Sequence, residues 1–542
     1  MPRSALSQFW LAAAFWLLFA VPALWLARGG IALDTDSAMR LAEVRDLLHG
    51  QSWFDTTQWR MNAPFGLPMH WSRLVDAPVA ALIAISGSEK FALIVWPLLL
   101  LFAVLVALAR LTGQLGGAKA VIPVLVLALL GAELYGLFTP GDIDHHNVQL
   151  ALMAWTLVFL AGQQPRAAAL TIAAALGVGL ESLPYCIVAI GAAALWLRDA
   201  PERARAFGAT LMLAALALLL ATTASRYRFA PVCDTYSLFY AALLAGGGGG
   251  LAAISCLPRH RLMALAVLGI AIAALALLLN RGCLAGPYAG LDPRMKLLFF
   301  DRINEAKSAA AFALFAPSDF VRGYLYACSA FLACFFAPPG RLRILTIAFA
   351  GTALMVSAVQ VRAVPFAILF ALPGLAAALA RLPLVPLALA LVMGSDAAFA
   401  VTGGLLEGQG REARITAFQR QVGCGSEASM APLKALPPGR VAAFVDQGPA
   451  ILAYTGDAAI AGPYHRDAAG IADSYAIFAG PDPRALLKAR GIDYVMVCAA
   501  SPDWQFYGVK DGLLARLATG KAPAWLTPAG TAGDVSVWVV KH

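Results

Sequence analysis

Charge is scarce in this chain. Asp, Glu, Lys and Arg make up 13% of its 542 residues and 60% are hydrophobic, against roughly 25% charged in a soluble domain. That shortage excludes an ordinary water-soluble globule. No basic stretch is interleaved with aromatics, so the net charge of +9 does not describe a nucleic-acid surface. No small-x-small cleavage site precedes Arg28, and the first apolar run is too long for a signal-peptide core, so it reads as an uncleaved span. No convincing internal repeat is visible, which weighs against the transporter or lipid-linked-glycan flippase that so apolar a chain also suggests.

What the chain has is apolar runs. They fall near 9–28, 91–109, 119–138, 148–162, 167–180, 184–197, 206–224, 236–256, 262–280, 323–337, 342–359, 363–380 and 383–401, about thirteen candidate membrane spans. Those at 167–180 and 184–197 are short, a pair that tilts or forms a hairpin around Glu181 and Pro184. Residues 76–88 read as an interfacial or re-entrant piece. With the N-terminus inside, the inner loops carry Arg110 and Lys119, Arg166, Arg198, Arg203 and Arg205, Arg259 and Arg261, Arg341 and Arg343, and Arg381. The positive-inside rule is met throughout. An odd span count puts the C-terminus outside, with loops 29–75, 139–147 and 281–322.

The expected fold is therefore mainly α: a polytopic membrane helix bundle over 1–401, followed by a small C-terminal α/β domain over 402–542. In that tail Val441–Val445, Asp493–Cys498 and Val535–Val540 read as strands and Pro483–Arg490 as a helix. Cys186, Cys256, Cys328 and Cys334 lie in spans and read as packing. Cys233, Cys283, Cys424 and Cys498 lie on the outer, oxidising side, where 233–283 and 424–498 are the pairings considered and spacing leaves the connectivity open.

The chemistry concentrates in Gly141-Asp142-Ile143-Asp144-His145-His146-Asn147, between two apolar runs. Charge at such a place is costly in hydrocarbon and marks a site by default. Carboxylate and imidazole donors suit a divalent metal. Capping of the following helix accounts for one acid, but not for two acids and two histidines. A second acidic stretch, Asp34-Thr35-Asp36, opens an amphipathic helix carrying Met39, Leu41, Val44, Leu47 and Leu48, expected to lie at the membrane interface. Capping is the alternative role for its acids. Glu181 lines the same cavity or sits in a loop. His465-Arg466-Asp467 and Asp473 read mainly as solvated surface charge.

The order of a first span, an acidic stretch, Arg45-Asp46-Leu47-Leu48-x-Gly50, Trp53-Phe54-Asp55 and Pro64-x-Gly66 resembles the first outer loop of GT-C glycosyltransferases. The likeness is strongest to oligosaccharyltransferase catalytic subunits. Counting nine residues back from Arg45 matches the family's first acid to Asp36; the Met39-Arg40 pair would match it to Asp34 instead. The family's second motif, Asp-His-His in its archaeal branch, matches Asp144-His145-His146. The resemblance implies Asp36, Asp144 and His146 as metal ligands. It implies Glu305, in Ile303-Asn304-Glu305, as a loop acid that helps place substrate or metal, and Arg362 as a contact to the donor's phosphate. His145, Asp142 and Arg40 are further substrate-binding candidates. The family's sequon-reading Trp-Trp-Asp-Tyr-Gly is missing, and Trp504-Gln505-Phe506-Tyr507-Gly508 lies too late to replace it.

The implied activity is transfer of a sugar or oligosaccharide from a polyprenyl-phosphate-linked donor to a glycan, lipid or protein acceptor, at the outer face of a cytoplasmic (inner) membrane. The tail would be periplasmic or extracellular. Mn²⁺ or Mg²⁺ is the expected cofactor, membrane lipids the surroundings, and the protein is expected to be a monomer. Asp36, Asp34 and Glu305 are the catalytic candidates, with whichever of Asp34 and Asp36 does not hold metal acting as base. A metal-independent polymerase or ligase relying on Arg and His is the alternative within enzymes.

Overall fold

The computed structural model describes residues 3–288, 291–408, 410–501 and 503–541; Ala289 and Gly290, in the large expected outer loop, lie outside them. The chain divides into two units. One comprises Met1–Gly30, Trp71–Ala289 and Asn304–Gly408, and the other Ile31–His70, Gly290–Ile303 and Gln409–His542.

The first unit is helical, and the protein is a multi-pass membrane protein. Among the described residues nine helices are long and apolar enough to cross a membrane, and eleven if each of two bent pairs is one span. Those pairs are Ala118–Leu129 with Ala132–Phe138, bent by 70°, and Leu384–Met393 with Asp396–Glu407, bent by 49°. Two of the thirteen expected segments fall short: His145–Ala161 has 17 residues and Pro165–Val178 has 14. Polar groups occupy their ends, Asp144, His145 and His146 at the start of one and Glu181 beyond the other. The expected re-entrant piece is a helix, Arg73–Ser86, with Val75, Asp76, Val79 and Ala80 buried.

The helix Val364–Leu379 runs through the centre of this unit, and every residue from Phe366 to Ala377 is buried. Arg261–Asn280 is its opposite, with Ala276 alone buried. An apolar helix so exposed is stable only against lipid. Pro201–Ala221 and Leu238–Ser255 meet backbone to backbone. A Cβ at Gly208 would sit 2.4 Å from the Gly248 carbonyl, and one at Gly248 would sit 2.6 Å from that of Gly208. Small residues at such a crossing supply the van der Waals contact that drives helix association in lipid. The disulfide Cys233–Cys283, one of the two pairings considered, forms in this unit.

The second unit is a small α/β fold around a five-stranded sheet. Its strands are β1 (Arg440–Ala442), β2 (Ala458–Ala459), β3 (Tyr494–Cys498), β4 (Leu526–Ala532) and β5 (Val535–Val540), in the order β2-β1-β3-β5-β4. β1 pairs in parallel with β2 and β3, while β5 runs antiparallel to β3 and β4. The three expected strands are present. β2 is too short to show a period, and β4 carries Pro528 and Gly530 at a register shift, tolerated because it is an edge strand. Phe444 stacks on Tyr507 at 5.1 Å and meets Phe478 edge-on at 5.0 Å. Cys424–Cys498 is the second disulfide.

Residues 31–70 fold with this tail rather than with the helices, because arginines tie them to tail carbonyls. Arg60 donates to the carbonyls of Leu452, Thr455 and Asp457, and Arg466 to those of Pro68 and Met69. The expected helix after Asp34 forms as Thr35–Leu48, but it is no interfacial helix. Ser37 to Val44 are all buried, Arg40 and Glu43 included, and the helix packs on Gly448–Tyr454.

Arg490 is 3% exposed and bonds Asp473, the Asn62 side chain and the carbonyls of Asn62 and Ala63. Arg490→Ala is expected to destabilise this unit by about 3 kcal/mol, because it strands those acceptors; chemical denaturation followed by tryptophan fluorescence measures it. Burial pushes the Asp503 carboxyl up to about 7, with Asp446 adding to the shift and Arg302 and Ser501 opposing it. An acid raised in the fold keeps a proton that the unfolded chain has lost. Stability of this unit is therefore expected to fall as pH rises from about 4 to about 7 and to level off above that. Asp503→Asn should flatten the slope in melting curves taken across that range.

Candidate active site

The site turn begins at Gly141, whose φ of +103° sets the chain direction and whose N–H donates to the Leu93 carbonyl at 2.8 Å. Asp142 braces the turn from within. Its carboxylate accepts the Asp144 N–H at 3.4 Å, and its carbonyl accepts the Asn147 amide at 2.9 Å. Asp142 is thus a turn former here.

Asp144 stands at the N-cap of the 145–161 helix yet makes no side-chain cap bond. Its two oxygens face the Nδ1 atoms of His145, at 2.5 Å, and of His146. Burial alone would raise this carboxyl. The two imidazoles outweigh it and hold Asp144 well below the usual carboxylate range. The Nε2 atom of His146 is buried and has no hydrogen-bond partner. Among the described residues this is the single group of three or more His, Cys, Asp or Glu residues whose donor atoms all lie within 4.8 Å of one another. One carboxylate, two imidazoles and an orphaned buried ring nitrogen fit a divalent cation, with Asp144 and His146 the residues best placed to hold it.

His145 is enclosed on its other sides. Its Nε2 lies 3.6 Å from Glu181 Oε1, and the Trp71 ring centroid is 6.1 Å away. Glu181, whose place the sequence left open, sits in the break between the 165–178 and Leu183–Ala194 helices and accepts the Gln149 amide at 2.9 Å. The structure also joins two residues that the sequence marked separately. Arg362, in the turn Val361–Ala363 that opens the central helix, lies 3.8 Å from Glu305. Tyr288 hydrogen-bonds Arg362, and the charge of Glu181 acts on that arginine as well. Tyr288 carries no spacing signal in the sequence and is found by the fold alone. Glu305 is 57% exposed while Arg362 is 15% exposed.

Asp34, Asp36 and Arg40 belong to the tail unit. Asp34 caps the 35–48 helix, accepting the Ser37 N–H at 2.7 Å, so for this acid the capping role is realised. Asp36 lies in the first turn, and Arg40 is fully buried. The Tyr464 hydroxyl donates to the Thr35 carbonyl, and the rings of His70 and His465 stand 4.3 Å apart. His465 and Asp467, expected at the surface, are 6% and 0% exposed. Asp467 accepts the Gly462 N–H at 2.8 Å, a bond that solvent would otherwise supply.

No protein-family model matches the chain, and no curated protein matches it by sequence. Solved structures do match. Archaeal oligosaccharyltransferase AglB from Archaeoglobus fulgidus, in complex with an inhibitory peptide and a dolichol-phosphate, aligns over 92% of this chain and 70% of its own, with 14% identity and a TM-score of 0.63. The same organism's oligosaccharyltransferase in the apo form aligns over 91% and 69%, with 14% identity and a TM-score of 0.64. Its complex with Zn and sulfate aligns over 91% and 68%, with 14% identity and a TM-score of 0.58. At that identity the likeness is one of backbone: the chain has the fold of these oligosaccharyltransferases.

Proposed function

We propose that this protein is a GT-C glycosyltransferase that moves a sugar or oligosaccharide from a polyprenyl-phosphate-linked donor to an acceptor at the outer face of the membrane, with a divalent cation at Asp144 and His146. The observation that carries the reading is the buried Asp144–His145–His146 group in a chain of that fold. Both disulfides join segments that the positive-inside pattern puts outside, which supports the orientation with the tail on the oxidising side. The neighbour bound to dolichol-phosphate supports the donor class. The missing sequon-reading motif argues against N-glycosylation of proteins and leaves a glycan, lipid or protein hydroxyl as acceptor.

The reaction breaks an anomeric C–O bond and leaves a phosphate. Arg362 offers a planar fork matched to phosphate oxygens, and its bond to Tyr288 and contact with Glu305 hold that fork in place. A bound cation supplies Lewis acidity toward the leaving phosphate. The family resemblance implies Asp36 as a further ligand, and whichever of Asp34 and Asp36 does not hold metal would take the proton of the acceptor hydroxyl.

Asp144→Ala is expected to abolish sugar transfer from a radiolabelled lipid-linked pool while the protein still folds, as gel filtration in detergent shows. EDTA should abolish transfer and Mn²⁺ restore it. Asp36→Ala in the same assay tests the added ligand. Wild-type turnover by Asp144→Ala sinks the reading.

A further inference from the structure

Large apolar side chains left exposed on a unit that has a packed core mark a contact surface. In the tail unit two of them, Trp59 and Phe65, stand on one short turn and are 59% and 65% exposed. The turn is built to hold them there. Thr57–Gln58 and Leu67–Pro68 pair antiparallel at its base. Near its tip the Asn62 amide donates to the Gly66 carbonyl at 3.3 Å. The Trp59 indole N–H donates to Asp55 Oδ2 at 3.3 Å, which fixes the tilt of the ring. Gly66 lies against that ring with φ +79°, and a Cβ there would sit 2.9 Å from Trp59 Cε3 and 3.1 Å from Thr57 Cγ2. Only glycine lets the indole rest on the backbone at this point. Phe65, its neighbour in the chain, is backed by the Arg490 guanidinium, 5.0 Å from the ring centroid. Arg490 is itself held by Asp473 and Asn62.

Two fixed aromatic faces beside carboxylates restrict what can cover them. Asp55 stands at one ring, and Asp473, which holds the arginine behind the other, is 32% exposed. A carboxylate is costly in hydrocarbon and is repelled by anionic headgroups, so a bilayer is a poor match. A sugar is a good one. One face of a sugar ring is a patch of C–H groups that packs on an aromatic face, and its rim is hydroxyl. Asp55 accepts the Thr57 N–H at 3.0 Å and the Trp59 N–H, and a carboxylate has about four acceptor positions, which leaves capacity for a sugar hydroxyl. Two rings on one turn suit a chain of sugars better than a single one.

We propose that Trp59 and Phe65 form a platform that seats a carbohydrate chain, the rings packing on its C–H faces and Asp55 accepting a hydroxyl. The role of that chain as sugar acceptor rests on the transferase reading above, and it narrows the acceptor from glycan, lipid or protein to glycan.

The test uses the full chain in nanodiscs, with maltotetraose, chitotetraose, mannotetraose and arabinotetraose as probes. Saturation-transfer NMR reports which sugar protons touch the protein. The wild type is expected to saturate the ring C–H protons of at least one probe. Trp59→Leu and Phe65→Leu keep an apolar side chain but lose the aromatic face, and each is expected to weaken that probe about tenfold, the scale of truncating an aromatic anchor. Trp59→Phe should fall between wild type and Trp59→Leu, and it carries the comparison if the leucine variant does not fold. Wild-type affinity in either leucine variant overturns the proposal, as does a wild type that contacts none of the four probes at millimolar concentration. So does relief of fluorescence quenching by Trp59→Phe in nanodiscs of dibrominated phosphatidylcholine, which would put the indole in the bilayer. A wild type that binds a probe yet transfers no sugar fails the transferase reading and leaves the platform standing, whereas sugar transfer without carbohydrate contact at Trp59 fails only the platform.

Discussion

A carboxylate buried between two imidazoles governs how the helical unit is built. Asp144 has little water to solvate it, and an isolated charge there would cost several kcal/mol. His145 and His146 supply the counter-charge, and the turn that aims them needs Gly141, the Asp142 brace and a helix that starts at His145. The helix is shortened as a result. The group is stable as an arrangement of protein atoms and leaves the His146 Nε2 without a hydrogen-bond partner.

The same rule operates at the other breaks in the unit. Where the 118–129 and 132–138 helices bend apart, Asp396, which opens the second helix of the other bent pair, accepts the Glu133 N–H at 3.0 Å. Arg322 reaches Glu133 with Nε at 2.7 Å and Asp396 at 4.0 Å. Each break frees backbone donors: at the first, one is answered by Asp396, 263 residues away, and at the second Ser395 accepts the Ala398 N–H locally. Backbone groups away from water must be satisfied within the protein.

In the tail unit arginine does the joining. Arg45, Arg60, Arg466 and Arg490 donate mainly to carbonyl oxygens of residues far off in sequence. Such bonds bind the early segment 31–70 to the late residues 440–540. They make the two acids at the head of the 35–48 helix parts of a folded body instead of a membrane-surface helix.

The sequence alone determined the membrane class, nearly all the helical segments, three of the five strands and which four cysteines lie on the outer side, while their pairing came from the fold. Each follows from a local or one-dimensional property: apolar run length, charge asymmetry, alternation, and the side of the membrane on which a cysteine falls. The Asp144-His145-His146 group was legible because its three side chains are consecutive and so are neighbours in any fold. Tertiary structure decided which acids cap and which do not, Asp34 doing so and Asp144 not. It decided that Glu305, Arg362 and Tyr288 touch, that Glu181 faces His145, and that His465 and Asp467 are buried. Those facts depend on which distant element covers a given side chain. No periodicity in the chain records that, because burial and pairing belong to packed helices and strands and not to the residues one at a time.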